Sequence, residues 1–340
     1  MKTTALIQSV AAAVAAAAIV AVPPSQTAAG SFSYGWPVKP FDHPHPVRGG
    51  FGDPRTTFFG PPTLRGLMTG PCDCSYHQGI DISAPDGTAV YPVESGVVRT
   101  VTQEWVQVDS ANGHAFQYWH IGARVHVGET VSRDETVLGR ILRGAQHVHL
   151  TELQSGIAVN PLAPGHIGPY EDHTTPLVTS ITFRSSDAGP ELIPGYLHGQ
   201  VEIVAAAHDM PALSVPGIWH GLPISPAKIT FRIVRIVPAP RRVVVPETVA
   251  VDVTRRLPES PDMWTTYARG THMNMPNFGG HRYWREPGSY LFKLTQQPFD
   301  TTRLEDGIYR LTVTASDTVG NTGRASEILS VHNNPAWLRG

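Results

Sequence analysis

The chain has 340 residues, and its 26 basic and 28 acidic side chains leave a formal charge of −2. That near-neutral balance offers no electrostatic footing for a nucleic-acid partner. Its 32 Gly and 31 Pro, with no long stretch of apolar residues at helical spacing, argue against a helical protein. Short β-rich runs between turn signals predict an all-β fold instead.

Residues 1–29 carry Lys2, then an apolar run over 10–22, then small residues at Ala28 and Ala29. This is the pattern of a secretory signal peptide, and Pro23-Pro24 closes the run before it reaches bilayer length. Cleavage is expected near Ala28 or Ala29, leaving no stable membrane span. A mature chain of about 310 residues suggests two domains, placed at 30–168 and 169–340. Between residues 35 and 76 the chain is rich in Pro and Gly. His43 and His45 flank a proline there and are expected to be solvated, and residues 56–73 read as a loop at the rim of a site. An exported protein is permitted a disulfide between Cys72 and Cys74, closing a very tight loop with a structural role.

The stretch from 76 to 152 carries the chemistry. It contains His77-Gln78-Gly79-Ile80-Asp81, then Tyr118-Trp119-His120, then His147-Val148-His149, all within β-rich text. In an extended strand, residues i and i+2 share a face, so His147 and His149 leave the same side. Two imidazoles with a His/Asp pair supply the ligand types zinc prefers, and a catalytic zinc keeps three protein ligands with a fourth position for water. The chain has 16 His, so a short-spaced pair also arises by chance. It is the three motifs together that point to a metal.

The sequence from His77 to Val90, with Gly96-Val97-Val98, resembles the first signature of the lysostaphin/LytM-type zinc metallopeptidases, the M23 family. Tyr118-Trp119-His120-Ile121, Val127-Gly128, Val131, Leu138-Gly139 and His147-Val148-His149-Leu150 continue the pattern in the same order. Upstream, Trp36-Pro37-Val38 and Gly50-Phe51-Gly52-Asp53-Pro54-Arg55 resemble the segment that precedes it, so the likeness covers about residues 35–162. It implies a LytM-type antiparallel β-sheet peptidase domain with Zn2+ as cofactor, held by His77, Asp81 and His149. It also implies that His147 and His120 stand beside the attacking water. One would take the proton and the other would hydrogen-bond the developing oxyanion, with His147 expected as the principal general base. Two features depart from the family. Leu150-Thr151-Glu152 shifts the usual acid by one place, which turns Glu152 to the opposite face of a strand. The Gly-rich loop before His147 is shortened to 142–146.

Residues 160–175 read as a linker. Beyond it, Val201, Ile203 and Ala205 alternate, as do Tyr309, Leu311, Val313 and Ala315 in a closing hairpin that resembles bacterial immunoglobulin-like domains. An Ig-like β-sandwich follows from that reading. Residues 254–300 break the strand rhythm with Trp264, Tyr267, His272, Phe278, His281, Tyr283 and Trp284, and read as an insertion. It either binds sugar or packs over the catalytic groove, or it is a long loop folded back on the sandwich with a small aromatic core.

The resemblance implies a secreted or periplasmic, wall-associated monomeric endopeptidase whose partners are peptidoglycan peptides. The alternative is a non-catalytic LytM-like module that binds wall peptides or regulates another hydrolase. A third reading is an adhesin-like protein dominated by its second half. Such non-catalytic relatives lack ligands or catalytic histidines, whereas all five positions are filled here.

Overall fold

Almost every element is a strand, as the turn-bounded β-rich runs predict. The computed structural model describes residues 34–58, 72–275 and 288–334. The expected signal peptide at 1–29, most of the 56–73 loop, and Phe278, His281, Tyr283 and Trp284 lie outside the described residues.

In the first half an eight-stranded antiparallel sheet runs in the order Val47–Gly49, Ile80–Ser83, His147–Gln154, His114–Trp119, Trp105–Ser110, Gly96–Val101, Thr130–Val131, with Ile157–Val159 also paired to His147–Gln154. One face is apolar by strict alternation. Ile80, Ile82, Val106, Val108, Phe116, Tyr118, Val148 and Leu150 are all fully buried there. Each such side chain removed from water contributes about 1.5–3 kcal/mol, so the register that buries all of them is strongly preferred over a one-residue slip. The other face carries the histidines. The segment before the sheet is part of this core: Tyr34 and Trp36 are buried, and the Trp36 indole donates to the Pro169 carbonyl at 2.9 Å. His43 is exposed beside Asp42, in keeping with its expected solvation, whereas His45 lies against the Trp36 ring.

The second half forms two further antiparallel sheets. One runs Glu191–Leu192, Leu177–Arg184, Gln200–His208, Leu291–Lys293, with Phe299–Asp300 beside Gln200–His208; the other runs Arg242–Asp252, Lys228–Val237, Gly307–Ser316, Thr322–Val331. The alternating residues singled out in the sequence point inward from both: Val201, Ile203 and Ala205 from one sheet, Tyr309, Leu311, Val313 and Ala315 from the other, all in one buried cluster.

Two sequence expectations change. Residues 160–175 are not a loose linker, because Asn160 and Asp172 are buried. The Asn160 amide donates to the Thr254 carbonyl at 3.1 Å, and the Asn321 amide donates to the Asp172 carbonyl at 2.8 Å. Pro and Gly content marks irregular backbone, and irregular backbone can still be packed when side chains satisfy it. The 254–300 segment is likewise no simple insertion. Leu291–Lys293 is a strand of the five-stranded sheet, and residues 262–274 dock on the first half. There the Tyr267 hydroxyl donates to the Gly52 carbonyl at 2.8 Å, the Met273 amide donates to Thr56 Oγ1 at 2.9 Å, and the Asn274 amide donates to the Arg48 carbonyl at 2.9 Å. Among the described residues this segment braces the loop at 48–56. No helix of the described residues is long and apolar enough to cross a membrane.

Candidate metal centre

Strand register brings the distant motifs together. His147–Gln154 lies between Ile80–Ser83 and His114–Trp119, and its pairing sets His149 opposite both Asp81 and Trp119. His77 sits just before the Ile80–Ser83 strand, where Gly79 lets the chain pass close to its neighbour. A Cβ at Gly79 would lie 2.2 Å from the Leu150 carbonyl oxygen and 2.9 Å from His149 Nε2, so no other residue fits there. His77, Asp81 and His149 thereby form one group whose ligand atoms all lie within 4.8 Å of one another. His77 Nε2 is 2.7 Å from His149 Nδ1, and Asp81 Oδ1 is 3.2 Å from the former and 3.1 Å from the latter.

The remaining hydrogen bonds fix the His77 tautomer and admit the matching one for His149. His77 Nδ1 lies 2.7 Å from the Gly50 carbonyl, which can only accept, so Nδ1 carries the hydrogen and Nε2 the lone pair. His149 Nε2 lies 2.8 Å from Thr151 Oγ1, a hydroxyl that can accept from it, and in that tautomer the His149 Nδ1 lone pair faces inward. With both outer nitrogens protonated, two imidazole lone pairs 2.7 Å apart would repel each other. A cation between them converts that repulsion into coordination, and a carboxylate completes a donor set suited to zinc. The residues therefore fit the metal that the sequence implies, and partners at the outer nitrogens orient both rings as metal-ligating histidines require.

Electrostatics agree. Burial pushes His77 down to about 3, so the ring is neutral and able to ligate at neutral pH. Burial alone would raise the Asp81 carboxyl, but His77, Arg55 and His147 around it hold it well below the usual carboxylate range. The Arg55 guanidinium donates to Asp81 Oδ2 at 2.6 Å, which leaves Oδ1 for the centre. Gly49 makes room for this contact: a Cβ there would meet Arg55 Nη2 at 2.7 Å and Asp81 Oδ2 at 2.8 Å.

The two further histidines stand beside this group. His147 Nε2 is 3.5 Å from Asp81 Oδ1, and the His120 and His147 rings have centroids 4.5 Å apart. His120 ends the His114–Trp119 strand at φ 64, a left-handed conformation uncommon for a side-chain-bearing residue, which turns its ring out of the strand and towards His147. Burial lowers both, His147 to about 4. All five sequence-predicted residues thus line one open cleft of about 330 Å³, with Trp119, Tyr76 and Arg55 on its walls. The rim includes Ser75, from the strand Cys72–Tyr76 in which Cys72 and Cys74 are disulfide-bonded.

Sequence reasoning misses three contributing residues. Thr151 shares the His147/His149 face by the same i+2 rule that finds the pair, so its role is open to inference. Arg55 and Arg48 flank the Gly50-Phe51-Gly52 turn, and only the fold shows where they reach. Glu152, by contrast, does face away from the site, as its shifted position predicts. It is fully buried, receives the Tyr34 hydroxyl and lies 2.8 Å from His166 Nδ1.

Arg48 is buried, its guanidinium carbon 3.9 Å above the Trp219 ring and its Nη2 2.6 Å from His147 Nδ1. The Ala145 carbonyl is also 2.6 Å from that nitrogen. A guanidinium only donates and a carbonyl only accepts, so Nδ1 can satisfy one of them at a time. Arg48→Met keeps a long side chain over Trp219 and removes the donor. The expected result is a hydrogen on His147 Nδ1, bonded to Ala145, and a lone pair on Nε2. Ring nitrogen chemical shifts report this directly; a spectrum with Nε2 protonated in the variant would show that Arg48 does not influence the tautomer.

Residues 75–161 match the model of Peptidase family M23. No curated protein matches the chain. Solved structures similar to part of it include a complex of SpoIIIAH and SpoIIQ, at 23% identity over 38% of this chain and 98% of that one with a TM-score of 0.29. The metalloprotease pseudoalterin from the deep sea is similar at 20% identity over 40% and 79% respectively, TM-score 0.27. LytU is similar at 20% identity over 36% and 86%, TM-score 0.26.

Proposed function

We propose that this chain, which belongs to Peptidase family M23 through residues 75–161, is a secreted zinc-dependent endopeptidase that hydrolyses peptide cross-links or bridges of bacterial peptidoglycan. The observation that carries the reading is the convergence of His77 Nε2, His149 Nδ1 and Asp81 Oδ1 on one point, with His147 and His120 beside them. A binding or regulatory relative has no need of five such groups in one cleft. The second half is read as an immunoglobulin-like β-sandwich, supported by its two antiparallel sheets around a shared core.

Zinc held by His77, Asp81 and His149 would supply a water of lowered pKa and a Lewis acid for the scissile carbonyl. The chain's own residues supply the rest. Asp81, ionised and held by Arg55, keeps a negative ligand in place. His147, neutral at the working pH, takes the proton of the attacking water at Nε2 when its Nδ1–H is bonded to Ala145. His120 donates to the oxygen that gains charge, and its turned-out backbone sets the ring for that contact. Trp119, stacked on Trp105 with ring centroids 4.8 Å apart, forms a firm wall against which an extended peptide can lie.

The test is digestion of purified peptidoglycan by the zinc-loaded protein, with and without a chelator, with released fragments read by mass spectrometry. Chelator-sensitive release of peptide-cleaved fragments is expected and identifies the bond. Intact wall from several sources, with zinc bound to the protein, would reject the reading.

A further inference from the structure

The outer face of the second-half sheet Arg242–Asp252, Lys228–Val237, Gly307–Ser316, Thr322–Val331 forms a groove of about 510 Å³ that shares no lining residue with the candidate metal centre. Arg232, Arg241, Arg310 and Arg324 line it, and Glu247 is the one carboxylate among the lining residues. We propose that this groove binds an extended acidic peptide, its carboxylates received by the four arginines.

The register gives the layout. Thr312 pairs with Arg232 on one side and Ser326 on the other; Arg310 is two residues before Thr312, and Arg324 is two residues before Ser326. Arg232 therefore lies directly across from Thr312, Arg324 diagonal to it and Arg310 two places along the same strand, all within roughly 5–8 Å of it at the backbone. None of the three lies directly opposite another, and Glu247 is the one carboxylate in the lining, so a bound anion would be attracted by several guanidinium groups at once. Among the described residues, none of the four arginines is in an ion pair, whereas Arg235 on the same strand as Arg232 is paired with Glu305. The local excess of positive charge stands out in a chain whose formal charge is −2.

The chemistry of the lining chooses the occupant. Guanidinium forks match carboxylates and phosphates alike. Val234, Ile236 and Val243 also line the groove, beside the hydroxyls of Thr230, Thr312 and Thr314. A polyol phosphate chain offers nothing to the apolar residues, whereas a peptide with small apolar side chains between carboxylates matches both. Naming the stem peptides of the wall as the source rests on the hydrolase reading above; affinity for an acidic peptide does not. On that view the groove holds the enzyme to the polymer while the cleft cuts it, which multiplies the local substrate concentration without adding contacts at the centre.

The test uses the full chain and isothermal titration with a synthetic hexapeptide alternating Ala and Glu. The same peptide with Gln for Glu, and polyphosphate, serve as comparison probes. The Glu peptide is expected to bind at least about tenfold tighter than the Gln peptide, and more weakly as salt rises. Arg232→Glu with Arg310→Glu is expected to lose that preference, as is the milder Arg232→Gln with Arg310→Gln, while bound zinc stays at one equivalent in both. Equal binding of the Glu and Gln peptides, unchanged binding by both double variants, or binding of polyphosphate alone would overturn the proposal. Peptide binding that the variants abolish, in a protein that releases nothing from walls, would sustain the groove and reject the hydrolase.

Discussion

His149→Ala is expected to lose both bound zinc and hydrolysis, whereas His147→Ala is expected to keep the zinc and lose hydrolysis. The two residues are neighbours on one strand face, which makes the contrast a sharp one. His149 Nδ1 points at Asp81 Oδ1 and His77 Nε2, with its other nitrogen held by Thr151. Its removal takes away a ligand, so the affinity loss should exceed the roughly 10–100-fold that removal of an outer partner causes. His147 stands at the edge of the group, 3.5 Å from Asp81 Oδ1, with its far nitrogen turned towards Ala145 and Arg48. Its removal should cost about 10²–10⁴-fold in turnover, the usual worth of a positioned acid or base. Metal content after dialysis and the rate of fragment release measure the two effects separately. A His147→Ala protein with full activity would remove it from the chemistry and leave His120 as the base.

Much of that contrast is legible in the amino-acid sequence because strand periodicity is so simple. The i, i+2 rule places His147 and His149 together, and the same rule turns Glu152 away into the core. The cross-strand register is a long-range property, and no spacing within the chain sets Asp81 opposite His149. Family likeness supplies that pairing. It cannot supply Arg48, whose place beside His147 depends on Trp219 and on the Asn274 amide that holds its carbonyl, both from the second half. The 160–175 and 254–300 segments mislead for a related reason. Their composition shows irregular backbone, but their burial depends on partners more than fifty residues away, such as Asn160 with Thr254 and Met273 with Thr56.

The same contacts alter the meaning of a two-domain division. The loop at 48–56 provides the Gly50 carbonyl that orients His77 and the Arg55 that holds Asp81. Its underside is bonded to residues 225, 267, 273 and 274 of the second half. Asp53, fully buried there, accepts from the Gly50 and Ser225 amides, and burial pushes it up to about 6. The second half is thus a support for the candidate metal centre as well as a neighbour of it. Rigid support of this kind is what holds ligands within the narrow tolerance that catalysis requires.

A second large effect is expected far from the cleft, where Asp172, Asp209 and Asp317 are buried together with their ligand atoms within 4.8 Å. Asp317 Oδ1 accepts the amides of Val319, Gly320 and Asn321, and Asp172 accepts from Thr174 and Tyr170. Asp209 has the poorer set, with the Met210 amide at 2.8 Å on Oδ1. Burial, then the charges of Asp172 and Asp317, push its carboxyl up to about 8 from an ordinary 3.8. The folded protein therefore holds a proton between about pH 4 and 8 that the unfolded chain releases, so this group's contribution to stability falls as pH rises through that window. It is constant below and above it. At 1.36 kcal/mol per unit the loss is on the order of several kcal/mol. Asp209→Asn keeps the Oδ1 acceptor for Met210 and replaces the titrating proton with an amide that donates at every pH. The variant is expected to match the wild type near pH 4 and to be clearly more stable at pH 8. Denaturant unfolding of both proteins at pH 5 and 8, with chelator present so that no cation takes the proton's place, measures the difference. Subtracting one protein from the other also cancels the buried histidines, whose lowered values give the opposite slope at acid pH. Parallel pH dependences for the two proteins would mean that Asp209 does not carry the proton.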